Sequence, residues 1–192
     1  MPHPFSIALK VVWGLFIIYW LWSARKIKLS SKMESIPKRF LLYWLPVLVA
    51  VFLIGPGDWF GRTWLREQFV PHSYFVETIG LLIVILGGII AVWARYLLGR
   101  NWSLVVQVKE DHELIKNGPY GIVRHPIYSG LLTMFLGNAI MVGDWRGLIA
   151  VAILFISFYF KLKKEEIWLG EYFGEQYKQY KEHTRMIIPG IL

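Results

Sequence analysis

Residues 74–98 read YFVETIGLLIVILGGIIAVWARYLL, which is the longest apolar run in the chain. As a helix rising about 1.5 Å per residue, this run is long enough to cross the roughly 30 Å of hydrocarbon in a bilayer. Its only charged residues, Glu77 and Arg95, lie near its two ends. The stretch therefore predicts a membrane-spanning helix.

Four more apolar runs predict four more helices, at residues 4–24, 40–54, 127–141 and 148–160. The last two runs are short for a full crossing, and only a compact polar turn separates them. Whether they cross fully or return part-way, a hairpin brings the chain back to the side that it left. We expect an all-α integral membrane bundle of about five transmembrane helices, the last two a helical hairpin, followed by a C-terminal cytoplasmic helical segment.

The composition is that of a membrane protein. Among the 192 residues, 56% are hydrophobic and only 18% are charged, and the mean hydropathy is +0.46. Soluble domains rarely combine these values. We therefore expect one integral membrane domain over residues 1–192. The chain has no cysteine, which excludes disulfides, thiolate metal sites and cysteine nucleophiles.

The basic residues predict the orientation in the membrane. The net charge is +8, and 17 of the 21 Lys and Arg residues lie in segments 25–39, 95–124 and 161–185. The predicted helices place these segments on one side. By the positive-inside rule, the N-terminus lies outside and the C-terminus in the cytoplasm, in a bacterial-type inner membrane or an endomembrane. Because the charge has this explanation, we expect no nucleic-acid partner.

Polar side chains that can do chemistry collect in the second half of the chain. Arg124 and His125 precede the fourth predicted helix, and Lys161, Glu165 and Glu166 follow the fifth. A hairpin brings both ends to the same depth. Each residue alone is most simply an interfacial anchor or part of a helix end, but their convergence predicts a pocket for a small polar ligand. The five histidines include no i, i+3 or i, i+4 pair, so we expect no metal.

The motif Arg124-His125-Pro126-x-Tyr128-x-Gly130, with Glu165-Glu166 after the hairpin, resembles that of the isoprenylcysteine carboxyl methyltransferase family of integral membrane enzymes. The phospholipid N-methyltransferases are related and share it. The resemblance covers roughly residues 95–192. The first three helices, in residues 1–98, match only as hydrophobic spans, and the resemblance implies that residues 99–192 form the catalytic half. That half would bind S-adenosyl-L-methionine in a cytoplasmic pocket capped by the C-terminal segment.

The resemblance also implies roles for particular residues. The implied cofactor-binding residues are Gln107, His112, Glu113, Leu114, Ile115, Tyr120, His125, Pro126, Ile127, Tyr128 and Glu165. The candidate catalytic residues are Arg124, Lys161 and Glu166. The family's substrate-side arginine falls on Lys161, which keeps the charge but loses the bidentate fork, so Arg124 is an alternative donor of that fork.

The expected activity is S-adenosylmethionine-dependent methyl transfer to a lipophilic or prenylated substrate that enters from the surrounding membrane lipids. Carboxyl O-methylation of a prenylcysteine-like substrate is the first interpretation. A carboxylate needs only a cation to orient it, whereas an amine must first be deprotonated, for which Glu166 or His125 is available. The alternatives are a phospholipid amine N-methyltransferase, a nicotinamide-dependent sterol-type reductase and a non-enzymatic membrane protein.

Overall fold

The structure is a computed structural model that describes residues 3–25, 35–99 and 114–192. Within these ranges the longer regular elements are all helices, which confirms the all-α part of the predicted fold class. They are α1 (His3–Ala24), α2 (Ile36–Arg39), a π-helical turn (Phe40–Trp44), α3 (Leu45–Ile54), α4 (Tyr74–Leu98), α5 (Pro126–Val142), α6 (Trp145–Phe173) and α7 (Glu175–His183).

Among the residues that the structure describes, four helical stretches are long and apolar enough to cross a membrane. They are Pro4–Ala24, Pro37–Ile54, Tyr74–Leu98 and Trp145–Phe173, and Pro126–Val142 is a shorter apolar helix. The last spanning helix is much longer than the predicted run 148–160. Helix α6 continues past Phe160 although charged residues follow, because Lys161 and Glu166 are buried inside the protein.

Helices α4 and α5 pack with their backbones in contact. Gly80 and Gly87 of α4 face Gly137 and Gly130 of α5. A Cβ atom at Gly87 would lie 2.5 Å from the Gly130 carbonyl oxygen, and one at Gly137 would lie 2.5 Å from that of Gly80. Small residues permit this close approach between membrane helices. These two points of close approach hold α4 and α5 directly against each other.

A buried arginine joins the turn between α5 and α6 to the end of α3. Gly143 turns the chain with a φ of 74°, and Arg146 then pairs with the Asp144 carboxylate at 2.8 Å. Its guanidinium also donates hydrogen bonds to the carbonyl oxygens of Leu53 and Gly55. The end of α3 and the beginning of α6 therefore lie together, so the two helices run antiparallel.

A second buried arginine, Arg95, joins the ends of α1 and α4. It donates hydrogen bonds to the Ser23 carbonyl at 2.7 Å and to the Gly99 carbonyl at 2.8 Å. The last carbonyls of a helix have no partner within it, so these bonds satisfy groups at two helix ends at once. Arg95 is 3% exposed. It therefore holds two helix ends together, in addition to contributing positive charge to the side predicted to be cytoplasmic.

The chain after α7 returns across the beginning of α5. We call residues 184–192 the C-terminal strap. The Arg124 and His125 amides donate to the Arg185 and Met186 carbonyls at 2.7 and 3.0 Å. Met186 and Ile187 are buried against Leu162 of α6. The strap therefore connects the beginning of α5 to the part of α6 around Leu162.

Candidate active site

The site is built where α5 begins. Pro126 starts this helix, a position that suits proline because its missing N–H has no helical partner there. Arg124 and His125 immediately precede it, and their amides are held by the strap as described above. Their side chains are 9% and 5% exposed. A guanidinium and an imidazole are therefore buried together at the beginning of α5.

A buried carboxylate of α6 meets these two side chains. The Nε of Arg124 donates to Oε1 of Glu166 at 2.6 Å, and Nε2 of His125 lies 3.6 Å from the same oxygen. Lys181 of α7 lies 3.3 Å from Oε2. The second arm of Arg124 donates to the Thr184 carbonyl of the strap. The Glu166 carboxylate, which is 4% exposed, therefore ties α5, α6 and α7 together, and through Arg124 also the strap.

Lys161 is held between two aromatic rings. Its ammonium nitrogen lies 5.1 Å from the ring centre of Tyr128 and 5.2 Å from that of Tyr43. These distances are those of cation–π contacts, which strengthen when the cation is removed from water. Lys161 is 9% exposed. Tyr128 was predicted for the site, whereas Tyr43 was not.

Tyr43 reaches Lys161 because of the π-helical turn. Pro46 has no N–H to donate to the Leu42 carbonyl four residues earlier, and the Ser157 hydroxyl of α6 donates to that carbonyl instead, at 2.7 Å. The Leu45 amide reaches back five residues to the Phe40 carbonyl. Pro46 is the only sequence signal for this turn, since it marks a break in the helix. The sequence does not indicate that this break brings the Tyr43 ring to Lys161.

Glu165 lies one helical turn after Lys161 on α6 and is half-buried. Within the described ranges no ion pair is formed by this carboxylate. Burial raises the pKa of the Tyr120 phenol, and the nearby Glu165 charge raises it further. Tyr120 donates to the Ala94 carbonyl, and its own carbonyl accepts a hydrogen bond of 2.6 Å from Tyr180. Burial likewise raises the pKa of Tyr180, so both phenols stay neutral donors at physiological pH.

The other predicted cofactor-binding residues divide into two groups. Pro126 and Ile127 are buried in the first turn of α5, and Ile115 packs beside Ile127 and Tyr120. Leu114 is half-buried at the start of the same segment. The second group, Gln107, His112 and Glu113, lies outside the described residues. The predicted convergence of residues 124–125 with residues 165–166 matches the geometry around Glu166.

Known proteins are similar to this chain both in sequence and in fold. The family model described as phospholipid methyltransferase matches residues 76–176. The protein-S-isoprenylcysteine O-methyltransferase of Dictyostelium discoideum is 30% identical over 169 residues, which cover 85% of this chain and 67% of that protein. The chain belongs to the isoprenylcysteine carboxyl methyltransferase family. The family resemblance predicted from the motif at residues 124–130 is thereby confirmed, as is an integral membrane protein.

Two further similar proteins show how much of the chain the similarity covers. A probable protein-S-isoprenylcysteine O-methyltransferase of Oryza sativa subsp. indica is 31% identical over 125 residues. The match covers 64% of this chain and 65% of the rice protein, so the chain spans slightly less than two thirds of that relative. The solved eukaryotic intramembrane Ras methyltransferase of the family superposes with a TM-score of 0.51 at 24% identity, covering 83% of this chain and 55% of that one. That likeness establishes the fold.

Proposed function

We propose that this family member transfers a methyl group from S-adenosyl-L-methionine to the carboxylate of a prenylcysteine-like lipid. The observation that carries the proposal is the spacing of Lys161 and Glu165 on α6. Residues four apart lie on one face of a helix, with Cβ atoms about 5–6 Å apart. A cation for the acceptor and an acid for the cofactor are thus adjacent. The names of the relatives support the same reaction.

The residues present fit the proposed cofactor. Nε2 of His125 is buried and lies 3.6 Å from Oε1 of Glu166, beyond hydrogen-bond distance, and Glu165 forms no ion pair within the part of the chain that the structure describes. S-adenosylmethionine, when bound, supplies a methyl group on a positively charged sulfur. We assign Glu165 to its ammonium and the Tyr120 and Tyr128 rings to its adenine. The remaining residues of the proposed cofactor site are Gln107, His112, Glu113, Leu114, Ile115, His125, Pro126 and Ile127.

Of the two candidate cations, we assign Lys161 rather than Arg124 to the acceptor carboxylate. The Arg124 guanidinium is already taken by Glu166 and by the Thr184 carbonyl. Lys161 lies between the Tyr128 and Tyr43 rings and one helical turn before Glu165, the residue that we assign to the cofactor. Arg124 and Glu166 then act as positioning residues that fix the beginning of α5 and the strap. A carboxylate needs no base, because it is already ionised at neutral pH.

Phospholipid amine methylation is the second candidate, and the description of the matching family model favours it. An amine must lose a proton before it accepts a methyl group. Glu166 is engaged by Arg124, so the buried Nε2 of His125 is the better candidate to take that proton. The two reactions leave different products, since a methyl ester releases methanol in alkali and a methylated amine does not.

For the membrane arrangement, we propose that α5 also crosses the bilayer, giving five spans with α5 and α6 as the hairpin. The C-terminal ends of α1 and α4 meet at Arg95, which supports a parallel direction for these two helices. The distribution of basic residues supports a cytoplasmic site and an outer N-terminus. A reporter fused after residue 192 should be active only in the cytoplasm, and activity on the outer side would overturn this topology.

The experiment is carried out on the protein reconstituted in vesicles. Titration calorimetry with S-adenosylhomocysteine measures cofactor binding, and transfer from methyl-labelled S-adenosylmethionine to S-farnesylcysteine measures turnover. We expect binding and an alkali-labile product. Alkali-stable label in phosphatidylethanolamine would support the amine reaction instead. No heat with S-adenosylhomocysteine, together with binding of a reduced nicotinamide cofactor, would contradict both.

A further inference from the structure

The C-terminal strap runs alongside α5 in the direction of that helix. Its Arg185 and Met186 carbonyls accept hydrogen bonds from the two amides that precede α5. The next carbonyl, that of Ile187, accepts a hydrogen bond from the Ser129 hydroxyl at 2.5 Å, and Ser129 lies one helical turn inside α5. Successive residues of the strap therefore pair with successive levels of α5.

The tip of the strap, which we define as residues 187–192, packs at a level of α6 that hydrocarbon surrounds. Ile187 is buried together with Leu162 of this helix. Helix α6 is long and apolar enough to cross a membrane. Leu162 stands sixteen residues after Arg146, which is roughly 24 Å along a straight helix and less than the roughly 30 Å of hydrocarbon. With Arg146 at the opposite surface, the level of Leu162 therefore lies within the bilayer.

The side chains of the strap tip suit hydrocarbon. Residues 186–192 read MIIPGIL and contain no charged side chain. Ile188 and Ile191 are 37% and 79% exposed although both are large and apolar. The exposed Arg185 stands directly before this apolar run. An exposed cation followed by exposed apolar side chains is typical of an interfacial segment, because the charge can stay at the headgroups while the apolar side chains lie deeper.

The backbone of the strap tip is largely hydrogen-bonded within the tip. The Ile187 and Ile188 amides donate to the Leu192 carbonyl at 2.7 and 2.8 Å. The Ile191 and Leu192 amides donate to the Ile188 carbonyl at 3.2 and 3.1 Å. Pro189 has no N–H that would need a partner. Since an unpaired backbone group is costly in lipid, a closed turn of this kind suits a position below the headgroups.

We propose that the strap tip inserts into the membrane leaflet on the side where α5 begins, with lipid acyl chains as its partner. Continuity favours lipid as the occupant, because the tip packs against α5 and α6, and α6 is a candidate membrane span. A soluble partner would have to pass the headgroups to contact Ile188 or Ile191. The strap thus connects the backbone that precedes α5 to the bilayer, and its position depends on lipid as well as on the protein.

A spin label measures the depth of the strap tip, and the absence of cysteine from the chain allows a single one to be introduced. In vesicles, a nitroxide on Ile191→Cys should collide with oxygen, which concentrates in lipid, and lose collisions with a water-soluble nickel chelate. Ile18→Cys is the lipid control, since Ile18 is 66% exposed on the apolar helix α1. Gln179→Cys on the polar helix α7 is the aqueous control, since Gln179 is exposed. We expect the label at residue 191 to match the lipid control, and a match to the aqueous control would overturn the inference.

A second measurement uses the unaltered protein. Trypsin cleavage after Arg185 releases residues 186–192 as one peptide. In vesicles that contain a phospholipid with a photoreactive group on its acyl chain, we expect this peptide to be labelled. Labelling of α1 without labelling of this peptide would contradict insertion. Spin–spin broadening between two copies labelled at residue 191, if it persists on dilution with excess lipid, would assign the tip to a second copy of the chain instead.

Discussion

At the scale of single residues, two side chains of α6 have separate proposed roles, one towards the cofactor and one towards the acceptor. Glu165 lies near Tyr120 and forms no ion pair within the described ranges, whereas Lys161 lies between Tyr43 and Tyr128. Replacing either residue should therefore affect one partner of the reaction and leave the other unchanged. This separation can be measured, because cofactor binding and acceptor turnover are different experiments.

Glu165→Gln should weaken S-adenosylhomocysteine binding by about tenfold or more, because a hydrogen bond to a charged group is worth about 1.5–3 kcal/mol. Calorimetry gives the affinity, and circular dichroism should show an unchanged helical content. Glu171→Gln is the matched control, since Glu171 is an exposed acid on the same helix. Equal affinities for the two variants would remove Glu165 from the cofactor site.

Lys161→Ala should raise KM for the acceptor about tenfold or more while the affinity for S-adenosylhomocysteine stays the same, because the charge-assisted bonds to the carboxylate are lost. Lys161→Arg keeps the charge and should recover part of the loss. The measurement is a KM and kcat series with S-farnesylcysteine. A variant with weakened cofactor binding and normal acceptor KM would instead assign Lys161 to the cofactor.

At the scale of secondary-structure elements, the π-helical turn links the lipid-facing surface to the site. Ser157→Ala leaves the Leu42 carbonyl of a part-buried hydrogen bond without its donor, at a cost of about 1 kcal/mol, and should shift Tyr43 away from Lys161. We expect a lower Tm and a higher acceptor KM. Adding Pro46→Ala supplies a backbone N–H for Leu42, so the double variant should regain thermal stability. Its acceptor KM should stay high, because the turn that presents Tyr43 is then lost.

A double variant that restores both properties would mean that the π-helical turn has no part in acceptor binding. The opposite result, in which Ser157→Ala changes neither Tm nor KM, would mean that the Leu42 carbonyl finds another donor. Both measurements use the vesicle-reconstituted protein. Thr78→Ala is a suitable control, because its hydroxyl bonds to a carbonyl of its own helix on an exposed face.

The same elements show what the sequence determines. The apolar run at residues 74–98 predicted α4 with its bounds, because hydrophobic length alone decides a membrane span. The run at residues 148–160 predicted α6 too short, since burial of Lys161 and Glu166 depends on partners elsewhere in the chain. The predicted hairpin indicated that residues 124–125 and 165–166 lie at the same depth, and Arg124 and His125 do meet Glu166. Tyr43 was missed, because its position depends on a proline three residues later and a serine on another helix.

At the scale of the whole molecule, the C-terminal strap holds the beginning of α5, where the proposed site lies. Its carbonyls accept from the Arg124 and His125 amides, and Thr184 accepts from the Arg124 side chain. A chain ending at His183 should lose at least about tenfold in S-adenosylhomocysteine affinity, since several hydrogen bonds of about 1 kcal/mol each are removed. Ile191→Ser, at a residue 79% exposed, should bind normally. Wild-type affinity in the truncated chain would contradict a role for the strap.

Helix α6 is anchored to the turn between α5 and α6 through Arg146 and carries Glu166 twenty residues later, which is roughly 30 Å along a straight helix. The distance between the outer anchor and the site is therefore a fixed length set by one rigid rod. Bilayers vary in thickness, and a rod that cannot stretch must tilt or leave one end at the wrong depth. Lipid acyl-chain length thus becomes a physical variable of the proposed reaction, and turnover in vesicles should peak at the thickness that this rod matches.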